Sequence, residues 1–169
     1  MAKTKLTLQI ESTLMTYVPA MVCGRKINKY RPTHTALEVP AENGTTTGGI
    51  VDCLRVQERF LGGNYRGTPA IIITAYEIKV SKSDFKSLHG HNFVGHCNYY
   101  IIPKELYEDV VDLVPEDIGI ILYANGTLRK KKECVYKPLS DERQKWLLMS
   151  MLKRVNQNSQ ETKIQGLYA

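Results

Sequence analysis

Two short apolar segments of the chain carry charged residues whose types suit metal and phosphate chemistry. Residues 70–74 are rich in β-branched side chains and lead into Glu77 and Lys79. Positions i and i+2 of a strand lie on one face of a sheet, so we expect the Glu77 carboxylate and the Lys79 ammonium to lie side by side. The preceding apolar segment, residues 49–56, contains a carboxylate of its own at Asp52.

Charges inside core strands are costly unless they are paired or bind a metal. Asp52, Glu77 and Lys79 therefore predict a site for a divalent metal and a phosphate, and the carboxylate oxygens suit Mg²⁺ or Mn²⁺. One alternative is an ion pair between Glu77 and Lys79 on an exposed edge strand. Another is that Asp52 lies at a strand end and pairs with Arg55. The apolar residues around all three positions favour the metal site.

Size and composition indicate one globular domain. The chain has 169 residues, of which 43% are apolar and 24% charged, which is enough for a substantial core. We expect the domain to occupy residues 1–156, followed by a polar tail over 157–169. Neither a membrane-spanning apolar stretch nor a signal peptide is visible, so we expect a cytoplasmic location and no membrane partner. The oligomeric state stays open, with a homodimer among the alternatives.

The cysteines and histidines give a weaker signal. The four cysteines are widely spaced and form no C-x-x-C pair: Cys23, Cys53, Cys97 and Cys134. We expect them to be reduced, partly buried thiols. A group of His89, His91, His96 and Cys97 offers an alternative zinc site, but its spacing matches no common zinc pattern.

Basic residues suggest how a nucleic acid could bind. The net charge is +6, with dense basic segments at residues 25–31 and 128–132. Ser81, Lys82, Lys86 and His89 follow the Glu-x-Lys segment, and we expect them to contact the phosphate backbone of a nucleic acid. The alternative is an ordinary solvated surface.

Hydrophobic periodicity, turn residues and prolines predict the order of elements. The expected order is a helix, three strands, a helix, a strand, a helix, a strand pair and a closing helix. Expected helices cover residues 4–18, 82–88, 104–113 and 138–155; expected strands cover 34–39, 49–56, 70–80, 98–102, 118–123 and 127–135. Short turns between the early strands favour antiparallel pairing, whereas a strand entered after a helix can lie parallel. We therefore predict an α/β (α+β) fold with a mixed sheet flanked by helices.

This order, with Asp52 on the second strand and Glu77-Ile78-Lys79 on the third, resembles the PD-(D/E)XK nuclease core, which is restriction-endonuclease-like. The resemblance implies that Asp52, Glu77 and the carbonyl of Ile78 bind Mg²⁺ or Mn²⁺, and that Lys79 assists the attacking water. Many members add a further glutamate from the first helix or strand. Glu38 and Glu11 are the candidates here, and a solvated glutamate is the alternative for each.

A closer likeness extends over about 100 residues. Segments 77–85, 98–103 and 115–121 resemble the MmcB-like DNA-repair endonucleases and small phage and prophage proteins of the same type. The chain departs from them in a longer connection after Gln57, with a loop over residues 62–69, and in the histidine-rich segment 89–96.

The resemblance implies a metal-dependent nuclease that cleaves DNA in repair, recombination or phage DNA metabolism. The alternative is a non-catalytic nucleic-acid or protein-binding module, such as a phage accessory factor, that retains the fold. A complete Asp and Glu-x-Lys set favours the enzyme.

Overall fold

The structure is a computed structural model that describes residues 3–41, 49–62, 70–87 and 89–168, with side chains described as far as residue 162. The loop expected over residues 62–69 lies almost entirely outside these ranges. No helix in the described part of the chain is both long and apolar enough to cross a membrane.

A six-stranded mixed sheet forms the centre of the protein, in the order β3-β4-β5-β6-β7-β8. Its strands are β3 (His34–Pro40), β4 (Ile50–Glu58), β5 (Ile71–Ile78), β6 (Cys97–Pro103), β7 (Gly119–Ala124) and β8 (Thr127–Lys132). Pairing is antiparallel from β3 to β5, parallel from β5 to β7, and antiparallel between β7 and β8. Helices flank this sheet, so the predicted fold class is confirmed.

The helices differ from the predictions in extent. They are α1 (Lys5–Thr16), α2 (Lys82–Lys86), α3 (Tyr107–Val110) and α4 (Asp141–Tyr168). The single helix predicted over 104–113 is wrong, because α3 is one turn between two 3-10 segments, Lys104–Leu106 and Val111–Leu113. The closing helix does not end near residue 155 but continues through the polar tail to Tyr168. Apolar periodicity stops there, but polar helix-forming residues extend the helix into solvent.

A small hairpin was missed by the sequence prediction. Strands β1 (Met21–Val22) and β2 (Arg25–Lys26) pair with each other at the start of the basic segment 25–31, where no strand was predicted. Two-residue strands leave almost no alternation for a sequence pattern to detect.

Helix α1 packs on one face of the sheet. Thr4 begins the helix by accepting a hydrogen bond from the Thr7 N–H at 3.1 Å, which satisfies one of the free amides of the first turn. Its buried residues Ile10 and Leu14 belong to the same apolar cluster as Tyr76 of β5. The helix ends before Pro19, as predicted.

The opposite face is covered by α4 and by the region of α2 and α3. Leu147 and Met151 of α4 share a cluster with Ile73 of β5, while Phe85 of α2 packs with Tyr100 of β6. Strand β5 is therefore buried on both faces, which explains its continuous apolar sequence.

Arg55 of β4 is fully buried and ties α1 to the sheet. Its guanidinium donates to the carbonyls of Leu14 and Tyr17 at the end of α1, and its Nε donates to Thr35 Oγ1 at 3.1 Å. A buried cation at a helix C-terminus satisfies carbonyls that have no partner within the helix. The predicted alternative that Arg55 pairs with Asp52 is wrong, because neighbouring positions alternate between faces and Arg55 is bound to α1.

We expect Arg55→Met to lower the free energy of unfolding by about 3 kcal/mol, because it leaves two helix carbonyls without their donor. Urea unfolding followed by circular dichroism measures this change. Arg129→Met, the same substitution at an exposed position of β8, is the matched control and should change stability by less than about 0.5 kcal/mol. Equal effects of the two substitutions would contradict the anchoring role of Arg55.

Candidate active site

Asp52 and Glu77 lie across from each other on the paired strands β4 and β5. Cys53 pairs with Tyr76 in the antiparallel register, so the next position along each strand places Asp52 opposite Glu77 on one face. Asp52 Oδ2 also accepts the backbone N–H of Ile78 at 2.7 Å. The structure therefore brings together the two carboxylates that the sequence singled out.

Burial dominates the electrostatics of this pair. Burial, together with the nearby Asp52 carboxylate, raises the pKa of Glu77 to about 9. Burial also raises the pKa of Asp52, although hydrogen bonds from Ile78 and Glu77 oppose the rise. No donor among the described residues reaches Oε2 of Glu77. The pair thus retains a proton at neutral pH, and a bound cation could replace that proton.

The Ile78 carbonyl is placed on the same side of β5 as Asp52. The N–H and C=O of one residue point to the same side of a strand, and the Ile78 N–H points to Asp52. The next residue, Lys79, donates its backbone N–H to Ile101 on the opposite neighbour, β6, at 3.0 Å. Asp52 of β4 and Glu77 and the Ile78 carbonyl of β5 can therefore supply oxygen ligands where these two strands adjoin.

Strand β5 ends at Ile78, two positions before the predicted strand end at residue 80. Lys79 is the first residue after the strand. Its side chain is 3% exposed. The ammonium donates to the backbone carbonyls of His89 at 2.5 Å and Asp84 at 3.3 Å, and it lies 3.6 Å from Asp84 Oδ1. In this arrangement Lys79 is oriented towards α2 and the segment that follows it.

Residues 89–96 cover the two carboxylates. The Asn92 N–H donates to Glu77 Oε1 at 3.0 Å, and the Asn92 side-chain amide donates to the Ile50 carbonyl at 2.9 Å. Gly90 has φ +69° and lies so close that an added Cβ would be 2.8 Å from Lys79 Nζ and 3.2 Å from Glu77 Oε2. These roles of Gly90 and Asn92 could not be predicted from the sequence, because they depend on how the segment folds back over the sheet.

The two additional glutamates have different surroundings. Glu38 has φ +54° and lies opposite Asp52 on β3. It forms ion pairs with Lys3 at 2.8 Å and with Arg154 of α4, and hydrogen bonding by Lys3 lowers its pKa. Glu11 is buried and pairs with Lys3 at 2.6 Å. Its charge contributes to the raised pKa of Asp52, so Glu11 lies within electrostatic reach of the site.

The predicted DNA-binding residues are divided between structural contacts and exposed positions. Ser81 begins α2 by accepting the Asp84 N–H at 3.1 Å. Lys82 pairs with Asp109 at 3.0 Å. Lys86, near the end of α2, and His89, the first residue of the segment 89–96, are exposed.

The histidine zinc alternative is not supported by the geometry. His91 contacts the Tyr100 hydroxyl and the Ser87 carbonyl, and His96 accepts the Ile73 N–H at 3.0 Å. Burial lowers the pKa of His96 to about 4. Among the described residues, the one group of three close metal-capable side chains is instead Cys23, Cys97 and Cys134.

Comparison with known proteins identifies the fold but no family. No family model matches the chain, and no curated protein matches it. A solved structure, the SPO1766 protein of unknown function from Silicibacter pomeroyi, is similar with a TM-score of 0.56 and 16% sequence identity. The match covers 78% of this chain and 80% of that one. At this identity the likeness concerns the fold alone.

We expect the stability of the metal-free protein to fall as pH rises from about 5 to about 9. The pKa of Glu77 is raised in the folded chain, so folding favours its protonated form, and this advantage is present at low pH and lost as the pH approaches about 9. Urea unfolding at several pH values gives the slope. Glu77→Gln should flatten it, whereas Glu58→Gln, at the end of β4, should not. Parallel slopes in all three proteins would contradict the raised pKa.

We expect Gly90→Ala to destabilise the protein more than Gly126→Ala. Both glycines have left-handed backbones, with φ +69° and +74°, but no atom lies within 4 Å of a Cβ added at Gly126. The control therefore measures backbone strain alone, about 1–2 kcal/mol. The contact with Lys79 and Glu77 should add about 1 kcal/mol or more at Gly90. Urea unfolding compares the two, and equal losses would mean that Gly90 does not pack on the site.

Proposed function

We propose that the protein is a metal-dependent nuclease that hydrolyses DNA phosphodiester bonds. The observation that carries this proposal is the placement of two carboxylates opposite each other on β4 and β5, the half-buried Asp52 and the buried Glu77, with Lys79 two positions beyond Glu77. Two carboxylates held side by side with little access to water are unfavourable unless a proton or a cation compensates their charge. The protein therefore maintains at this point an arrangement that costs stability, which is typical of functional sites.

The donor set fits a hard divalent cation. Asp52, Glu77 and the Ile78 carbonyl would hold Mg²⁺ or Mn²⁺, since these ions prefer oxygen ligands. When bound, such an ion polarises a phosphate and lowers the pKa of a coordinated water. The protein's part is to fix the two carboxylates through the strand register and to hold Asp52 with the Ile78 N–H.

Lys79 would stabilise the negative charge that develops on the phosphate during attack. A preorganised ammonium in a water-poor site acts most strongly on charge that appears in the transition state. In the present structure its hydrogen bonds go to the carbonyls of His89 and Asp84. Substrate would therefore have to displace the cover segment, residues 89–96, before Lys79 could face a phosphate.

The net charge of +6 supports a polyanionic substrate. Lys86, which lies before the cover segment, and His89, which begins it, are both exposed. Such contacts hold the phosphate backbone without reading sequence. DNA repair, recombination or phage DNA metabolism, in the cytoplasm, is the setting that we propose for this activity.

The closed cover segment favours one other function, a binding module without catalysis. Asn92 occupies one oxygen of Glu77, and the Lys79 ammonium is bound to backbone carbonyls. A protein that had lost catalysis could keep these contacts permanently. Activity measurements separate the two functions.

We expect Mg²⁺- or Mn²⁺-dependent cleavage of plasmid or single-stranded DNA by the unmodified protein. Asp52→Asn and Glu77→Gln should abolish it, because each removes a ligand charge. Lys79→Ala should lower the single-turnover rate by roughly 100-fold or more while DNA affinity changes much less. The rate is measured by gel assay and the affinity by fluorescence anisotropy.

The matched controls are Glu58→Gln and Lys86→Ala, which change the same residue types outside the metal site. Glu58→Gln should retain full activity, and Lys86→Ala should affect DNA binding and its salt dependence more than the rate. DNA binding without cleavage in any metal would support the binding module. Full activity of Asp52→Asn would overturn the proposed site.

A further inference from the structure

Three cysteine sulfurs from distant parts of the chain converge on one point. Cys23 lies in the turn between β1 and β2, Cys97 begins β6, and Cys134 follows β8. Their Sγ atoms all lie within 4.8 Å of one another. Cys23 and Cys97 are joined in a disulfide, so the expectation of reduced thiols is wrong for this pair. Cys134 Sγ lies 2.9 Å from Cys23 Sγ.

A disulfide between Cys23 and Cys97 gives no role to the third sulfur. Cys134 is a free, buried cysteine, and nothing in a two-sulfur crosslink requires it to touch Cys23. A shared metal ion, in contrast, requires three or four donors directed at one point. We propose that, once a thiol or dithiol reductant has supplied two electrons to open the disulfide, Cys23, Cys97 and Cys134 release their thiol protons and bind a thiophilic metal ion of the Zn²⁺ class.

The chemistry of the three donors suits such an ion. Thiolates are soft ligands that select zinc and similar metals over Mg²⁺. This cluster and the carboxylate pair would therefore take different ions. Three protein ligands leave the fourth position of a tetrahedral zinc for water. Cys97 and Cys134 are buried, whereas Cys23 is only half-buried, so water and the ion would enter from the Cys23 side.

The hairpin can provide the required spacing. With Zn–S bonds near 2.3 Å, two sulfurs on one tetrahedral ion are roughly 3.8 Å apart. The Cys23 Sγ would therefore move by about 1 Å away from Cys134 Sγ and, since a disulfide bond is only about 2 Å long, by nearly 2 Å away from Cys97 Sγ. Cys97 and Cys134 are fixed in the core cluster, but Cys23 lies in a turn, with φ +48°, followed by Gly24 at φ +69°. The movement of Cys23 Sγ would therefore be accommodated by a change in the backbone of this turn.

The ion would also fasten the hairpin to the sheet. Strands β1 and β2 have two residues each and pair with each other. A two-stranded hairpin is at best marginally stable by itself. A metal held by Cys23, Cys97 and Cys134 would connect it to β6 and to the segment after β8, and would make its stability depend on the metal.

The test is a titration of fully reduced protein with Co²⁺ in the absence of oxygen. We expect one equivalent to bind and to produce the near-ultraviolet charge-transfer absorption of cobalt–thiolate bonds, a signal that carboxylate ligands do not give. Because Zn²⁺ shares these ligands, it should displace the cobalt and remove the absorption. This readout is independent of nuclease activity, so its failure leaves the proposed function untouched.

Serine substitutions identify the ligands. Cys23→Ser, Cys97→Ser and Cys134→Ser should each weaken Co²⁺ binding by more than about 100-fold, since even loss of a group behind a ligand costs 10–100-fold. Cys53→Ser is the matched control, because Cys53 is a buried free cysteine outside the cluster. This variant should bind Co²⁺ with the affinity of the unmodified protein. If a buried variant does not fold, alkylation of Cys23 in the unmodified reduced protein should be slowed by Zn²⁺.

Other outcomes would overturn the proposal. Reduced protein that shows no charge-transfer absorption at stoichiometric cobalt, or an absorption that survives Cys134→Ser in a folded protein, excludes the three-sulfur site. Alkylation of Cys23 at the same rate with and without Zn²⁺ excludes it as well. The cluster would then be a disulfide with a neighbouring thiol, and disulfide exchange would be its chemistry.

Discussion

The antiparallel register between β4 and β5 is the constraint on which the rest of the site depends. It places Asp52 opposite Glu77 on one face and directs Arg55 to the other face, where that side chain holds the end of α1. A slip of one residue would exchange the faces of every side chain on β4. Asp52 would then lie under α1, and the Arg55 guanidinium would meet the carboxylate face. Because apolar residues lie on both faces of β4, the polar contacts of Arg55 with α1 and of Asp52 with Ile78 are what distinguish this register from a slipped one.

The register also sets an electrostatic cost that other elements reduce. Burial raises the pKa values of both Asp52 and Glu77, and the Asp52 charge adds to the rise at Glu77. The Ile78 and Asn92 amides each donate to one of these carboxyl groups, and Lys79 contributes positive charge nearby. Because the charges of Asp52, Glu77 and Lys79 are balanced this closely, binding of a proton, a cation or a phosphate can change the contacts that these side chains make. The segment 89–96 is then the part of the structure that must move, because its backbone supplies contacts to both Glu77 and Lys79.

Two basic residues far apart in sequence, Lys3 and Arg154, form ion pairs with the glutamates near this site. Lys3 bridges Glu11 of α1 and Glu38 of β3, and Arg154 of α4 holds Glu38 from the opposite side. Glu38 has a left-handed backbone at its position opposite Asp52, which breaks the regular ladder between β3 and β4. The strain at Glu38 is thus compensated by two ion pairs. The surroundings of Asp52 include charges from α1, β3 and β5, although these elements are far apart in sequence.

The sequence by itself determined the elements that have strong local signals. Apolar β-branched runs predict β4, β5 and β6, and Pro19 predicts that α1 ends before it; the structure contains all of these. The positions of Asp52 and Glu77 within core strands could also be predicted, because burial of a strand residue follows from its apolar neighbours. The alternation of side chains in β5 placed Glu77 and Lys79 on one side.

Only the tertiary structure decided which distant groups meet. The cover of Glu77 by Asn92, the bridge from Lys3 to Glu11 and Glu38, and the convergence of Cys23 with Cys97 and Cys134 each join segments with no shared periodicity. Hydrophobic patterns report whether a residue is buried, but they do not report its partners across the fold. The extent of α4 was missed for a related reason, since a solvent-exposed helix needs no apolar face to continue. Local sequence patterns therefore determined the strands and the candidate metal ligands. Packing of the whole chain determined the protonation of these ligands, their exposure to solvent and the residues that surround them.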